Sequence, residues 1–182
     1  MKTEPSNIKL IFTITAALVW TWLYIIIALA IGQLTGSPKL TSLPILNLFP
    51  VYLYHVLGII LLITWLPIIV VGIYTLGHRG VVGMSGHLIN YGLYFYVRNP
   101  MYSGIFFVVL GSGLALGSTS TVIAALIWGL ISFLECEREI ADLEKRFGQE
   151  YLNYKKTSPI FVPNFFLLAN DLAHKRFHKP VP

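Results

Sequence analysis

Residues 101–134 read MYSGIFFVVLGSGLALGSTSTVIAALIWGLISFL, two apolar runs without a charge, 101–117 and 119–134, joined by Ser118 alone. So short a join leaves the two runs one arrangement, an antiparallel helical hairpin. Gly104, Gly111, Gly113 and Gly117 supply the small residues that let helix backbones approach closely. The first run is short against the roughly 20 residues that cross a bilayer, and the second is close to that length.

Upstream, residues 51–74 form another apolar run, with Pro67 inside it and expected to kink it. Before that lies a breaker-rich loop over residues 32–50, with Gly36, Pro38, Pro44 and Pro50. The first run of the chain, residues 8–31 with Lys9 at its edge, is long enough to span. A cleavable signal peptide is the competing reading, because Lys2 and Lys9 precede the run and Ala28-Leu29-Ala30 mimics a cleavage site. The apolar core is longer than that of such peptides, roughly 7–15 residues, which favours a span.

Composition agrees. Of 182 residues, 55% are hydrophobic and 12% charged, where a soluble domain carries about a quarter charged. Between residues 5 and 134 there is no carboxylate and only four basic residues, Lys9, Lys39, Arg79 and Arg98. A soluble enzyme and a disordered chain are both excluded. The expected fold is an all-α integral membrane protein, a single domain over residues 1–182. It has about four transmembrane helices (8–31, 51–74, 101–117 and 119–134), the last two forming the hairpin, and a cytosolic amphipathic tail over 135–182. Four spans put both termini on one side. Twelve basic residues then share that face and Lys39 stands alone on the other, so the positive-inside rule makes the termini cytosolic.

The net charge of +5 does not point to nucleic acid, because the basic residues of the tail are interleaved with acids and form no stripe. An anionic membrane surface fits better. Cys136 is the sole cysteine, which rules out an internal disulfide and a thiol metal cluster. No phosphate loop, GxGxxG, HExxH or Cys/His metal spacing occurs. His78 and His87, in the connection 76–97, read as structural or solvated. The tail carries Ile140, Leu143, Phe147, Tyr151 and Tyr154 at helical spacing, an amphipathic helix interrupted near Gly148. Ser158-Pro159 and Pro163 end it. Residues 165–182 mix Phe and Leu with His, Lys and Arg and read as interfacial.

Two cytosolic clusters carry chemistry. In the first, Tyr91, Tyr94, Tyr96 and Tyr102 surround Arg98, and Asn99-Pro100 reads as the start of a helix. A helix N-terminus favours an anion, and an arginine grips a carboxylate with two hydrogen bonds. In the second, Glu135, Glu139 and Asp142 lie on one helical face, where like charges repel. Either Arg138, Lys145 or Arg146 supplies the counter-charge, or a bound cation does. A zwitterionic amino-acid headgroup would satisfy both clusters.

The run Tyr94-x-x-Val97-Arg98-Asn99-Pro100-Met101-Tyr102-x-Gly104 resembles a signature of the membrane isoprenylcysteine carboxyl methyltransferase and phospholipid methyltransferase family. Glu139-x-x-x-Leu143-x-x-x-Phe147-Gly148-x-Glu150-Tyr151-x-x-Tyr154, followed by Pro159 and Pro163, is similar to that family's second signature. The resemblance covers residues 76–163. It implies S-adenosylmethionine as methyl donor; because apolar spans wall the cytosolic site and no large polar domain could bind a soluble acceptor, a lipid or lipidated acceptor is expected to enter from the bilayer. Tyr94, Arg98, Asn99, Tyr102, Gly104 and Glu139 become cofactor contacts, with Arg98 also a candidate catalytic contact to substrate and no metal required. An amine acceptor would have to lose a proton, for which Glu135 and His87 are the nearby groups. Asn99 stands where carboxyl methyltransferases have His, and Ile140 where the second Glu of a Glu-Glu pair is usual. Both departures bear on an isoprenylcysteine acceptor in particular. An NADPH-dependent reductase of the sterol-reductase type and a non-catalytic membrane interaction protein are the alternatives. The acidic lining favours a sulfonium and an ammonium over dinucleotide phosphates.

Overall fold

The computed structural model describes residues 7–42, 50–81 and 86–174, and among these it is all-helical. The order is α1 (Asn7–Leu34), a 3-10 turn (Leu40–Ser42), α2 (Val51–Val81), a second 3-10 turn (Gly92–Phe95), α3 (Pro100–Leu116), α4 (Thr119–Phe147), α5 (Gln149–Thr157) and α6 (Phe165–Ala173). Three helices are long and apolar enough to cross a membrane, over Ile8–Leu34, Tyr52–Gly77 and Thr119–Phe147. The α3 helix, with 17 residues, rises only about 26 Å, a little short of a hydrocarbon core about 30 Å thick. Large apolar side chains stand outward along the long helices, among them Trp20, Ile26, Ile63 and Leu130. That surface suits hydrocarbon and would aggregate in water.

The chain divides into two compact units. One is built from Thr15–Pro67 and Gly104–Ile131, the apolar lengths of the four long helices. Its core includes Ile25, Trp65, Val108, Val109 and Ala125, all buried, with Trp65 stacked on Phe107 at 4.2 Å between ring centres. A Cβ on Gly58 would run into the backbone of Gly111 and Ala115, so α2 and α3 touch backbone to backbone there. His55 Nδ1 lies 2.8 Å from the Ala115 carbonyl. The Tyr24 hydroxyl donates to the Ala124 carbonyl at 2.9 Å.

The hairpin expected at Ser118 is present, and its closure has a physical cause. The Ser118 amide donates to the Gly113 carbonyl at 2.8 Å and the Gly117 amide to Leu114 at 3.1 Å. This is the paired hydrogen bonding of a glycine-terminated helix, which needs a left-handed residue at the turn. Gly117 supplies it, with a positive φ. The Ser118 hydroxyl then accepts from the Thr121 amide and starts α4. The Leu40 amide donates to the Gly117 carbonyl at 2.9 Å, so the connection after α1 is pinned to the same turn.

The other unit holds Ile68–Ser103 and the chain from Ser132 on, with the start of α1. Here α2 differs from expectation. Its helix runs through Pro67 to Val81, and its break falls at Gly77, with φ 67° and ψ 168°. His78 therefore lies on the last turns of α2, not in a loop, and its side chain is outside the described residues. Gly148, also at positive φ, breaks the charged helix into α4 and α5 as the sequence indicates. The interfacial stretch contains α6, whose Asn164 side chain caps it by accepting from the Leu167 amide. The basic residues at 175–179 lie outside the described residues.

Candidate functional site

The segment 95–99 is held by the segment 158–164. The Ser158 hydroxyl donates to the Phe95 carbonyl at 2.8 Å, and the Arg98 amide donates to Pro159 at 2.9 Å. The Asn99 side-chain amide donates to the Ile160 carbonyl at 3.2 Å, and the Asn164 amide to Tyr96 at 3.1 Å. Pro159 and Pro163, which follow α5, keep this strap out of helix and free its carbonyls as acceptors. The Tyr154 hydroxyl adds a 2.6 Å bond to the Tyr94 carbonyl. Under the strap, Leu88, Ile140, Tyr151 and Tyr154 form a buried cluster with Leu143, Phe147 and Ile160 packed on it.

Between these elements opens a cleft of about 590 Å³, its mouth included. It brings together residues far apart in sequence: Tyr94, Arg98 and Asn99 from the chain leading into α3, Glu139 and Arg146 from α4, Tyr151 and Tyr154 from α5. His87, Leu88 and Phe147 complete much of the wall. Tyr102 and Gly104 are not among the lining residues. Both stand further along α3 than Asn99, and Gly104 already belongs to the other compact unit.

Three charged side chains line the cleft, Arg98, Glu139 and Arg146. Arg98 is half-buried; its Nη1 lies 3.4 Å from the Tyr151 hydroxyl, and its buried Nε has no hydrogen-bond partner among the described residues. A buried guanidinium nitrogen without an acceptor is costly, and a bound anion removes the cost. On α4 the three acids part company. Arg138 pairs with Glu135 at 2.8 Å and Arg146 with Asp142 at 3.4 Å. Glu139, between them, has no ion pair among the described residues and lines the cleft. The helix's own bases thus answer the two flanking acids and leave the middle one available to a cation.

The tyrosines of the cleft stay neutral. Burial, with the Tyr154 phenol and the Glu139 carboxylate nearby, pushes the Tyr94 phenol far above its ordinary range. Burial does the same to Tyr154, with Tyr151 adding to the effect and Arg98 opposing it. Tyr151 is raised by burial against the pull of Arg98. These rings therefore offer aromatic faces and hydroxyls, not charge. Of the residues singled out in the sequence, Tyr94, Arg98, Asn99 and Glu139 line this cleft. Sequence reasoning missed Tyr151, Tyr154 and Arg146 as lining residues and read His87 as structural or solvated, although the two tyrosines sit in the second signature and on the apolar stripe of the tail. No cluster of three or more His, Cys, Asp or Glu able to hold a metal occurs among the described residues.

The family model for phospholipid methyltransferase matches residues 53–150, more than half of the chain. The Protein-S-isoprenylcysteine O-methyltransferase of Schizosaccharomyces pombe is 35% identical over 77 residues, which are 42% of this chain and 33% of that protein. The match thus spans about a third of that relative's length. No solved structure matches the chain.

Proposed function

Because the chain belongs to the phospholipid methyltransferase family, we propose that it methylates a lipid-borne acceptor with S-adenosylmethionine bound in the cleft between Arg98 and Glu139. The observation that carries this reading is the pair of unanswered charges. The orphaned Arg98 Nε suits a carboxylate, the unpaired Glu139 suits an ammonium, and the cofactor's amino-acid end presents both. Bound there, S-adenosylmethionine supplies a methyl group activated by a sulfonium. Arg98 takes the role of the anion grip and is the candidate catalytic contact, with Tyr151 steadying its guanidinium. Asn99 fixes the start of α3 to the strap. Tyr94 and Tyr154 wall the cleft with neutral aromatic surface. Tyr102 and Gly104, cofactor contacts by the resemblance, do not line the cleft.

Displacement at a methyl group needs alignment more than proton transfer, and alignment is worth roughly 7–11 kcal/mol. A carboxylate acceptor loses its charge as the sulfonium loses its own, so a water-poor cleft favours that reaction. An amine acceptor must first lose a proton. His87, which lines the cleft, is the candidate base for an amine. The family's description favours a phospholipid acceptor; the name of the Schizosaccharomyces pombe relative favours an isoprenylcysteine.

The whole chain is read as one methyltransferase domain with four spans, α3 included, and with both termini and the cleft cytosolic. The basic asymmetry about Lys39 supports this sidedness. A lipid acceptor is supported by the family's description and by the apolar side chains that stand outward along the long helices. Purified protein in lipid nanodiscs, incubated with methyl-labelled cofactor and a membrane lipid extract, should yield a labelled lipid identifiable by mass. Absence of cofactor binding at millimolar concentration would remove the enzyme reading and leave a membrane interaction protein.

A further inference from the structure

The nine residues of α6, FFLLANDLA, contain one charged side chain, Asp171, and at 6% exposure it is the one buried charged group among the described residues. Burying a carboxylate is expensive unless it is well hydrogen-bonded. Asp171 Oδ2 accepts from the Tyr96 hydroxyl at 2.9 Å, and Tyr96 is itself 1% exposed. The same Tyr96 accepts the Asn164 amide on its carbonyl, at the other end of α6. One residue is therefore bolted to both ends of one helix. Burial first, and then the Asp171 carboxylate, push the Tyr96 phenol up to about 12, so it remains a donor at any physiological pH.

Tyr96 is two residues before Arg98, and Val97 between them is fully buried. Neither Tyr96 nor Asp171 lines the cleft. An apolar pair would fill the space as well, yet would leave Tyr96 held by its carbonyl alone, with no directional bond on its side chain. A hydrogen bond to a carboxylate is directional and strong, and it fixes the plane of Tyr96 and with it the direction in which Arg98 leaves the backbone. We propose that Asp171 is a positioning residue, acting through Tyr96 to hold Arg98 in the orientation that grips the anionic end of the cofactor. This deepens the function proposed above and rests on the reading of Arg98 as that grip.

The test uses the full chain in nanodiscs and the variants Asp171→Asn, Tyr96→Phe and the two combined. Three quantities are read: Kd for S-adenosylmethionine, kcat at saturating cofactor, and hydrogen exchange of the amides of residues 97–99. Tyr96→Phe should weaken cofactor affinity roughly 10-fold, the loss of one hydrogen bond to a charged group, and Asp171→Asn by less, because the asparagine oxygen still accepts from Tyr96 without the charge. The double variant should be no weaker than Tyr96→Phe, because that substitution already removes the bond whose charge Asp171→Asn neutralises. Exchange at residues 97–99, including the Arg98 amide bonded to Pro159, should quicken. If only the grip is disturbed, kcat at saturation should stay within about twofold. Tyr96→Phe deletes one oxygen from a packed ring and keeps the test open should Asp171→Asn fail to fold. Unchanged Kd and exchange in Tyr96→Phe would overturn the inference whatever the melting temperature, as would additive losses in the double variant. Wild-type protein that binds no cofactor would instead refute the proposed function, and the exchange measurement would still report separately on the latch.

Discussion

Replacing Glu139 by glutamine keeps the side chain's shape and removes its charge. Glu135 is held by Arg138 at 2.8 Å and Asp142 by Arg146 at 3.4 Å, while Glu139 has no ion pair among the described residues. The substitution therefore breaks no ion pair and relieves repulsion from Asp142 one turn on. Stability should stay within about 0.5 kcal/mol of wild type, as for substitutions that break no packing or pairing. If Glu139 meets the cofactor's ammonium, the loss is a charge-assisted hydrogen bond. That costs about 1.5–3 kcal/mol, a Kd roughly 10- to 150-fold weaker. Titration calorimetry with S-adenosylmethionine and thermal melting, run on the same nanodisc preparation, separate the two quantities. Unchanged affinity with a lowered melting temperature would refute the reasoning, because it would mean that Glu139 serves the fold and not the cleft.

Arg98→Lys keeps the charge but removes the planar fork and its Nε, so cofactor affinity should fall by at least about tenfold; wild-type affinity would show that a point charge suffices. Gly58→Leu forces a side chain into the backbone of Gly111 and Ala115. It should destabilise by about 1–3 kcal/mol while residual folded protein keeps its Kd, and an unchanged melting temperature would refute the close approach of α2 and α3. Ser118→Cys, in a Cys136→Ser background, should react with an impermeant thiol reagent added outside intact cells. Labelling that appears only after permeabilisation would reverse the assigned sidedness.

The parts of the molecule that local rules govern were legible in the sequence. Gly117 next to a single serine can close a hairpin in one way, and Gly148 can break a charged helix because its φ is free. The paired signatures directed attention to Tyr94, Arg98, Asn99 and Glu139, and these four meet at one cleft. What stayed hidden depends on partners distant in sequence. Helical spacing put Glu135, Glu139 and Asp142 on one face but gave no sign of which would be answered by Arg138 and Arg146. The stripe of Tyr151 and Tyr154 marked a buried face without saying that it would back onto Tyr94. Pro67 did not end α2, since a proline-containing helix in an apolar setting can run on. The break came at Gly77, whose left-handed φ no periodicity reports.

The strap has a consequence for biogenesis. Its bonds from Asn99 to Ile160 and from Ser158 to Phe95 bridge 61 and 63 residues of chain, with the whole hairpin in between. Contacts so remote in sequence form late, after the intervening loop has been closed. A growing chain can thus insert its hairpin while the strap is still unmade, and the groups that would recognise a methyl donor are then not yet gathered. Membrane insertion and the acquisition of chemical competence become separate events in the life of each molecule, with the second waiting on residues 158–164 to find their place.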